Sequence, residues 1–245
     1  MQIADNLNGN WRLATEVHKL EARLWRRVQR DHLSVILFTS AVRGEGKSTT
    51  VAYLAAAMGL YPSRRVLAVD LDFRVPSLGR HFPLDASKSI GAVLRGECSL
   101  DIAIQKTELP NLDLICPLPE GEDPSLLMKT PELHEIFRQL RSSYDLILVD
   151  TPALLPVADT SNLLWVADGV IFLGMAGKTT KHELTKARDI CLGMDANIMG
   201  LVISNVEETS GRHGQYGYDY ASGYGYHRGY GEDKTAEKTD GPAQG

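Results

Sequence analysis

Cysteine is scarce in this chain, and the three present, Cys98, Cys116 and Cys191, are odd in number and far apart. That excludes a disulfide framework and leaves no metal-ligand spacing, so a reducing cytosol is the expected setting. Long apolar runs are missing as well. The first ten residues, MQIADNLNGN, lack the apolar core of an export signal, and the run LLWVADGVIFLGMA is short and broken by Asp168, so no membrane span is expected. Nor is there an excess of positive charge: 26 Lys and Arg stand against 31 Asp and Glu, and nucleic acid, which selects for a basic footprint, is not an expected partner. What is there suffices for one sizeable core, with 43% hydrophobic residues in a chain of 245.

Leu13, Val17, Leu20, Leu24 and Val28 recur at three- and four-residue steps, the mark of one helix face, while Arg12, Lys19, Arg23, Arg26, Arg27 and Arg30 make the rest of that helix basic. Residues 1–30 are therefore expected to form an amphipathic helix whose exposed stripe drives self-association. Residues 31–208 alternate short apolar runs, SVILFTS, VLAVDLD, LDLICPL, LILVDTP, GVIFLGM and GLVISNV, with stretches of helical length such as STTVAYLAAAMGL and PELHEIFRQLRSSY. Runs of that kind are buried parallel strands, so the expected fold is α/β, a doubly wound and mostly parallel sheet with helices on both faces. Residues 209–245 are rich in Gly, Tyr and charge with almost no aliphatic side chains, which predicts a flexible tail.

Three segments carry chemistry. Ala41-Val42-Arg43-Gly44-Glu45-Gly46-Lys47-Ser48 follows a predicted strand and opens a predicted helix, the P-loop pattern with Ala in place of the first Gly. There the backbone of Gly44, Glu45 and Gly46 cradles phosphate, Lys47 reaches the β- and γ-phosphates, Ser48 ligates Mg2+, and Thr49 lies in the helix's first turn. Leu146-Ile147-Leu148-Val149-Asp150 is an apolar strand ending in a carboxylate, as a Walker B strand does, placing Asp150 beside the loop as a second metal group. Val66-Leu67-Ala68-Val69-Asp70-Leu71-Asp72 ends in alternating carboxylates, and strand alternation places Asp70 and Asp72 on one face of an extended segment.

These segments, together with VDLDFRVPSLGRHF, YDLILVDTPALLPVADT and DGVIFLGMAGKTTKHEL, resemble the bacterial tyrosine kinases that accompany capsule and exopolysaccharide export, over residues from about 21 to 208 and again in the tail. The resemblance implies a P-loop NTPase fold of the deviant Walker, partition-ATPase-like type and a kinase using ATP and Mg2+. It further implies that Lys47, Asp70, Asp72 and Asp150 are catalytic, with Ser48, Asp70 and Asp150 at the metal and Asp72 the candidate base. Family likeness implies a homo-oligomeric ring, a membrane-bound polysaccharide co-polymerase acting as activator on a separate chain, a cognate phosphatase, and recruitment to the inner face of the membrane. The phosphoacceptors it implies are Tyr216, Tyr218, Tyr220, Tyr224, Tyr226 and Tyr230, phosphorylated in trans. The sequence departs from the family in three places: Arg43 stands where Pro is usual; Glu21 is followed by Leu24 and Arg27 where a Glu and two Arg make a subunit contact; and Ser204 replaces an adenine-contacting Asn, leaving Asn205 as the candidate for that contact.

Two other readings compete. A septum-site or partition ATPase needs a lysine at the position of Val42, which can supply neither charge nor hydrogen bond across a dimer. A nucleotide-responsive adaptor of the export complex would bind ATP with little transfer. The seven histidines show no ligand-like pairing; Lys178, Thr179, Thr180 and Lys181, after a strand, read as a solvated loop, with contact to phosphate or to a subunit as the alternative; and Trp11, Trp25 and Trp165 read as packing residues.

Overall fold

Runs such as VILFTS and LILVD are β-branched and apolar on both sides of the chain, so they are stable only where both faces of a sheet are covered. In the computed structural model, which describes residues 2–85, 88–117, 128, 131–157 and 159–206, that is where they lie. Seven strands among the described residues form one sheet: β1 (Val35–Ser40), β2 (Val66–Asp70), β3 (Gln105–Lys106), β4 (Leu112–Ile115), β5 (Leu146–Asp150), β6 (Gly169–Met175) and β7 (Ile198–Ser204). Their order is β3-β4-β2-β5-β1-β6-β7, and every neighbouring pair is parallel except β3 with β4. Strand β3 is not legible in the sequence: two residues carry no periodicity, and the strand is held by the Lys106–Asp113 ion pair and the register of β4.

The described helices are α1 (Gln2–Gly9), α2 (Trp11–Asp31), α3 (Lys47–Gly59), α4 (Ile90–Leu94), α5 (Leu100–Ala103), α6 (Pro131–Ser143), α7 (Asp159–Leu163) and α8 (Lys181–Leu192). Successive strand residues face opposite ways. Val35, Leu37, Val69, Ile147 and Val149 enter one core with Phe137 and Leu140 of α6, and Ile36, Phe38, Ala68 and Leu148 enter the other with Val51, Leu54 and Met58 of α3. The parallel strands β1, β2 and β5 therefore end together along one edge of the sheet.

The expected free stripe on α2 is not free. Leu24 and Val28 are buried, and Val17 and Leu20 pack on the same core as α3. The reason lies in α3, whose residues Val51, Ala52, Leu54, Ala55, Ala56, Ala57 and Met58 are all buried. A helix apolar all round needs cover on its outer side as well as against the sheet. The expected exposed stripe is therefore a covering face within the same chain, and α2 turns its basic side outward.

Glu21 fastens this cover. It is buried and ion-paired with Arg64, whose guanidinium lies 4.2 Å from the Trp25 ring centroid and 3.9 Å from that of Tyr61. The residues that match the family's subunit-contact pattern are spent within the chain, Arg27 being paired with Asp31. Replacing Glu21 by Gln strands a buried guanidinium and is expected to cost about 3 kcal/mol in chemical denaturation. An unchanged midpoint would show that the clamp contributes nothing.

Of the three tryptophans only Trp25 packs as expected. Trp11 is 71% and Trp165 70% exposed. Trp165 sits in the turn Leu164–Val166, where both neighbours point inward and leave the middle residue outward. The tail, residues 209–245, and its six tyrosines lie outside the described residues.

Candidate functional site

At the carboxyl edge of the sheet β1 runs into a loop and α3 begins at Lys47. Gly44 and Gly46 have φ of 73° and 89°, the left-handed region that glycine enters without steric cost. Among the described residues the amides of Gly44 through Thr49 meet no acceptor. A run of free N–H groups at the positive end of a 13-residue helix is a cradle for an anion. Lys47 is buried, Ser48 half-buried, and Arg43 points to solvent.

Asp70 and Asp150 are register partners at the ends of β2 and β5, and both are fully buried. Asp70 Oδ1 accepts from the Asp72 N–H at 2.8 Å, and Oδ2 accepts from the N–H groups of Ser77 and Leu78, each at 3.0 Å. Ser77 Oγ in turn donates to Ser48 Oγ at 2.6 Å, tying the turn after β2 to the loop. Neither oxygen of Asp150 meets a donor in hydrogen-bonding geometry, while the Ser48 hydroxyl and the Lys47 ammonium lie near enough to favour its charged form. Burial pushes both carboxyls upward, Asp70 to about 6 even though three backbone amides favour its charged form; the charge of Asp72 adds to the rise of Asp70, and that of Asp70 to the rise of Asp150. The pair holds a proton more readily than isolated carboxyls would, and the unsatisfied oxygens of Asp150 suit a cation.

Strand β2 ends at Asp70, so alternation does not extend to Asp72. Asp72 lies on the following turn, half-buried, with Oδ1 accepting from the Val75 N–H at 3.0 Å; its charge acts on both Asp70 and Asp150. A tight turn, stabilised by the Asp70 side chain, brings Asp72 to the pair.

Glu45, expected at the cofactor through its backbone, buries its side chain. One carboxylate oxygen accepts from the Val42 N–H at 3.0 Å and the other from Thr179 Oγ1. Ser204, at the end of β7, donates to the Glu45 carbonyl at 2.9 Å, so the following Asn205, exposed and left-handed at φ 56°, stands at the rim of the loop. Thr49 is exposed in the first turn of α3. The structure thus gathers Gly44 to Thr49, Asp70, Asp72, Asp150 and the end of β7 along one edge. Sequence reasoning gave Ser77 no role and read Thr179 as part of a solvated loop. It also misread Lys178, which is bound to the loop's carbonyls. A cleft of about 160 Å³ lined by Arg65, Lys106, Asn111 and Tyr144 lies at the opposite edge, where Asp113 already holds Lys106 and Tyr144, and Asp145 holds Arg65.

A folded-state pKa above the unfolded value means that the folded protein binds more protons between the two. Stability is therefore present below the ordinary carboxylate range and is lost as pH rises from about 4 to about 6, at about 1.4 kcal/mol per unit of displacement. Urea denaturation of the metal-free and nucleotide-free protein should show this fall, and Asp70→Asn should flatten it. A wild-type stability that is level or rising across that window would contradict the burial of the pair.

The AAA domain family matches residues 33–178. The tyrosine-protein kinase YwqD of Bacillus subtilis is 31% identical over 183 residues, covering 75% of this chain and 76% of its own. A protein named EpsB in Ralstonia solanacearum is 30% identical over 195 residues, which are 80% of this chain but 25% of that one. Among solved structures, the VpsO kinase domain superposes with a TM-score of 0.72 at 25% identity, covering 80% of this chain and 95% of that domain.

Proposed function

Because this chain belongs to the AAA domain family and, within it, to the bacterial tyrosine-protein kinases, we propose that it transfers the γ-phosphoryl group of ATP to tyrosine hydroxyls, chiefly those of its own tail. The observation that carries the reading is the convergence of a P-loop with free amides and a buried pair of carboxylates, one of them with two unsatisfied oxygens. Phosphoryl transfer asks for little else: in-line placement and neutralisation of the phosphate oxygens.

In this reading the amides of Gly44 to Thr49 and the Lys47 ammonium hold the β- and γ-phosphates, and Asn205 contacts the base. Ser48, Asp70 and Asp150 would hold Mg2+, which would supply neutralisation of the phosphate charge. The residues suit that ion. No group of three or more His, Cys, Asp or Glu side chains among the described residues forms a metal cage, and Mg2+ prefers one or two carboxylates completed by phosphate and water. The tyrosine oxygen attacks the γ-phosphorus, the bond to the β–γ bridging oxygen breaks, ADP leaves, and the phenolic proton passes to Asp72. A base is needed because a tyrosine hydroxyl, with a pKa near ~10, is a poor nucleophile at neutral pH.

Family likeness supports the wider setting: control of capsule or exopolysaccharide export, a membrane-bound activator on a separate chain, a cognate phosphatase, and transfer between copies in a ring. No described helix is long and apolar enough to cross a membrane, so membrane attachment in this proposal comes through the activator. Incubation of the purified protein with radiolabelled ATP, with and without the co-expressed membrane partner, tests the proposal. Alkali-stable label on tyrosine is expected. Nucleotide binding without label under both conditions would favour an adaptor.

A further inference from the structure

The segment between β6 and α8 reaches across to the P-loop. Lys178 Nζ donates to the carbonyl oxygens of Arg43 at 2.6 Å and Gly44 at 3.1 Å. The lysine is held from both sides. Thr179 bonds the buried Glu45 and accepts from the Met175 N–H at 2.7 Å, while Thr180 and Glu183 close a capping box on α8. Gly177, at φ 77°, makes the turn that brings Lys178 back over the loop.

In a trans peptide the carbonyl and the following N–H point in opposite directions. The two carbonyls that Lys178 grips belong to the peptides whose other poles are the N–H groups of Gly44 and Glu45. Those N–H groups are among the free amides of the cradle. A cation on the oxygen side polarises each peptide and fixes its plane, so the N–H is a stronger donor already aimed at an incoming anion. Gly44 is required here by its left-handed φ of 73°, and a Cβ on it would come within 2.8 Å of Lys178 Nζ, so the lysine's grip is close against the backbone. Lys178 is itself exposed, so its charge is not needed to satisfy a buried group or to hold the fold.

We infer that Lys178 is a positioning residue of the nucleotide site: it holds the two P-loop peptides by their oxygens so that the amides of Gly44 and Glu45 are preset for the phosphates of a nucleoside triphosphate. The inference rests on the reading of the P-loop as that site. Calorimetric titration of the full chain with ATP tests it in four forms: wild type, Lys178→Ala, Lys178→Arg and Lys47→Met. Lys178→Ala is expected to weaken ATP binding about tenfold with thermal unfolding of the nucleotide-free protein unchanged, and Lys178→Arg, which keeps charge and donors, to recover most of the loss. Wild-type affinity in Lys178→Ala, with binding lost in Lys47→Met, would overturn the role of Lys178 and leave the site standing. A loss that Lys178→Arg does not restore would also overturn it, since a charge-based grip would have been kept. Wild-type affinity in Lys47→Met would remove the nucleotide site and this inference together.

Discussion

Lys47→Met is expected to lower the rate of phosphotyrosine formation by roughly a thousandfold, the scale on which the loss of a positioned donor to transition-state charge is felt. Lys47 is 7% exposed at the first position of α3, in a loop whose other phosphate-facing groups are neutral amides, and its charge is felt at Asp150. Lys178 cannot take its place, because its ammonium is committed to the outer, carbonyl side of the same loop. Methionine matches the buried stem of lysine in length and flexibility, so the packing of α3 against the sheet is kept and the loss is chemical. Label incorporation from ATP, with circular dichroism to confirm the fold, is the measurement. Autophosphorylation at the wild-type rate would end the assignment of the site.

Truncation after Gly214 is expected to remove nearly all phosphate acceptance while leaving the kinase able to act on another copy. Mixing the truncated chain with full-length Lys47→Met should then place phosphate on the tail of the inactive copy. Tyr216, Tyr218, Tyr220, Tyr224, Tyr226 and Tyr230 are six of nine tyrosines, set among Gly, Ser and charged residues that offer no core to bury them. Two of the remaining three are committed within the fold: the Tyr144 hydroxyl donates to Asp113 at 2.7 Å and that of Tyr61 faces Glu21 at 3.5 Å. Burial, together with the Asp113 bond, also holds the Tyr144 hydroxyl well above the usual phenol range, which makes it a poorer nucleophile still. Each phosphate adds about −1.5 to −2 charges, so several on one tail would repel neighbouring tails and oppose assembly. Mass spectrometry of the mixture decides the matter. Phosphate found mainly on Tyr53, Tyr61 or Tyr144, or absent from the tail, would refute the tail as substrate.

The sheet and the P-loop were legible in the sequence because their signals are local. Apolar runs of strand length, Gly44 and Gly46 ahead of Lys47, and carboxylates closing two strands each declare themselves within a few residues, and parallel topology brings such strand ends to one edge. What local pattern cannot carry is which surface meets which. The stripe on α2 announces that it will be buried but not against what; the all-apolar α3 of the same chain claims it, and Glu21 finds Arg64 across 43 residues. Alternation carried Asp72 onto the face of Asp70, whereas the backbone turns as soon as the Asp70 carboxylate accepts the Asp72 amide. Thr179 and Lys178 are separated from the P-loop by more than 130 residues, so only the pairing of β6 beside β1 places them against it. The sequence by itself determined the kind of fold and the residue types at the phosphate cradle, since propensity, period and turn chemistry act over a few residues. The tertiary structure alone decided that α2 is a cover, that Asp150 is buried without a hydrogen-bond donor, and that a lysine from a remote loop grips the cradle from behind, because burial and charge pairing depend on neighbours that only folding supplies.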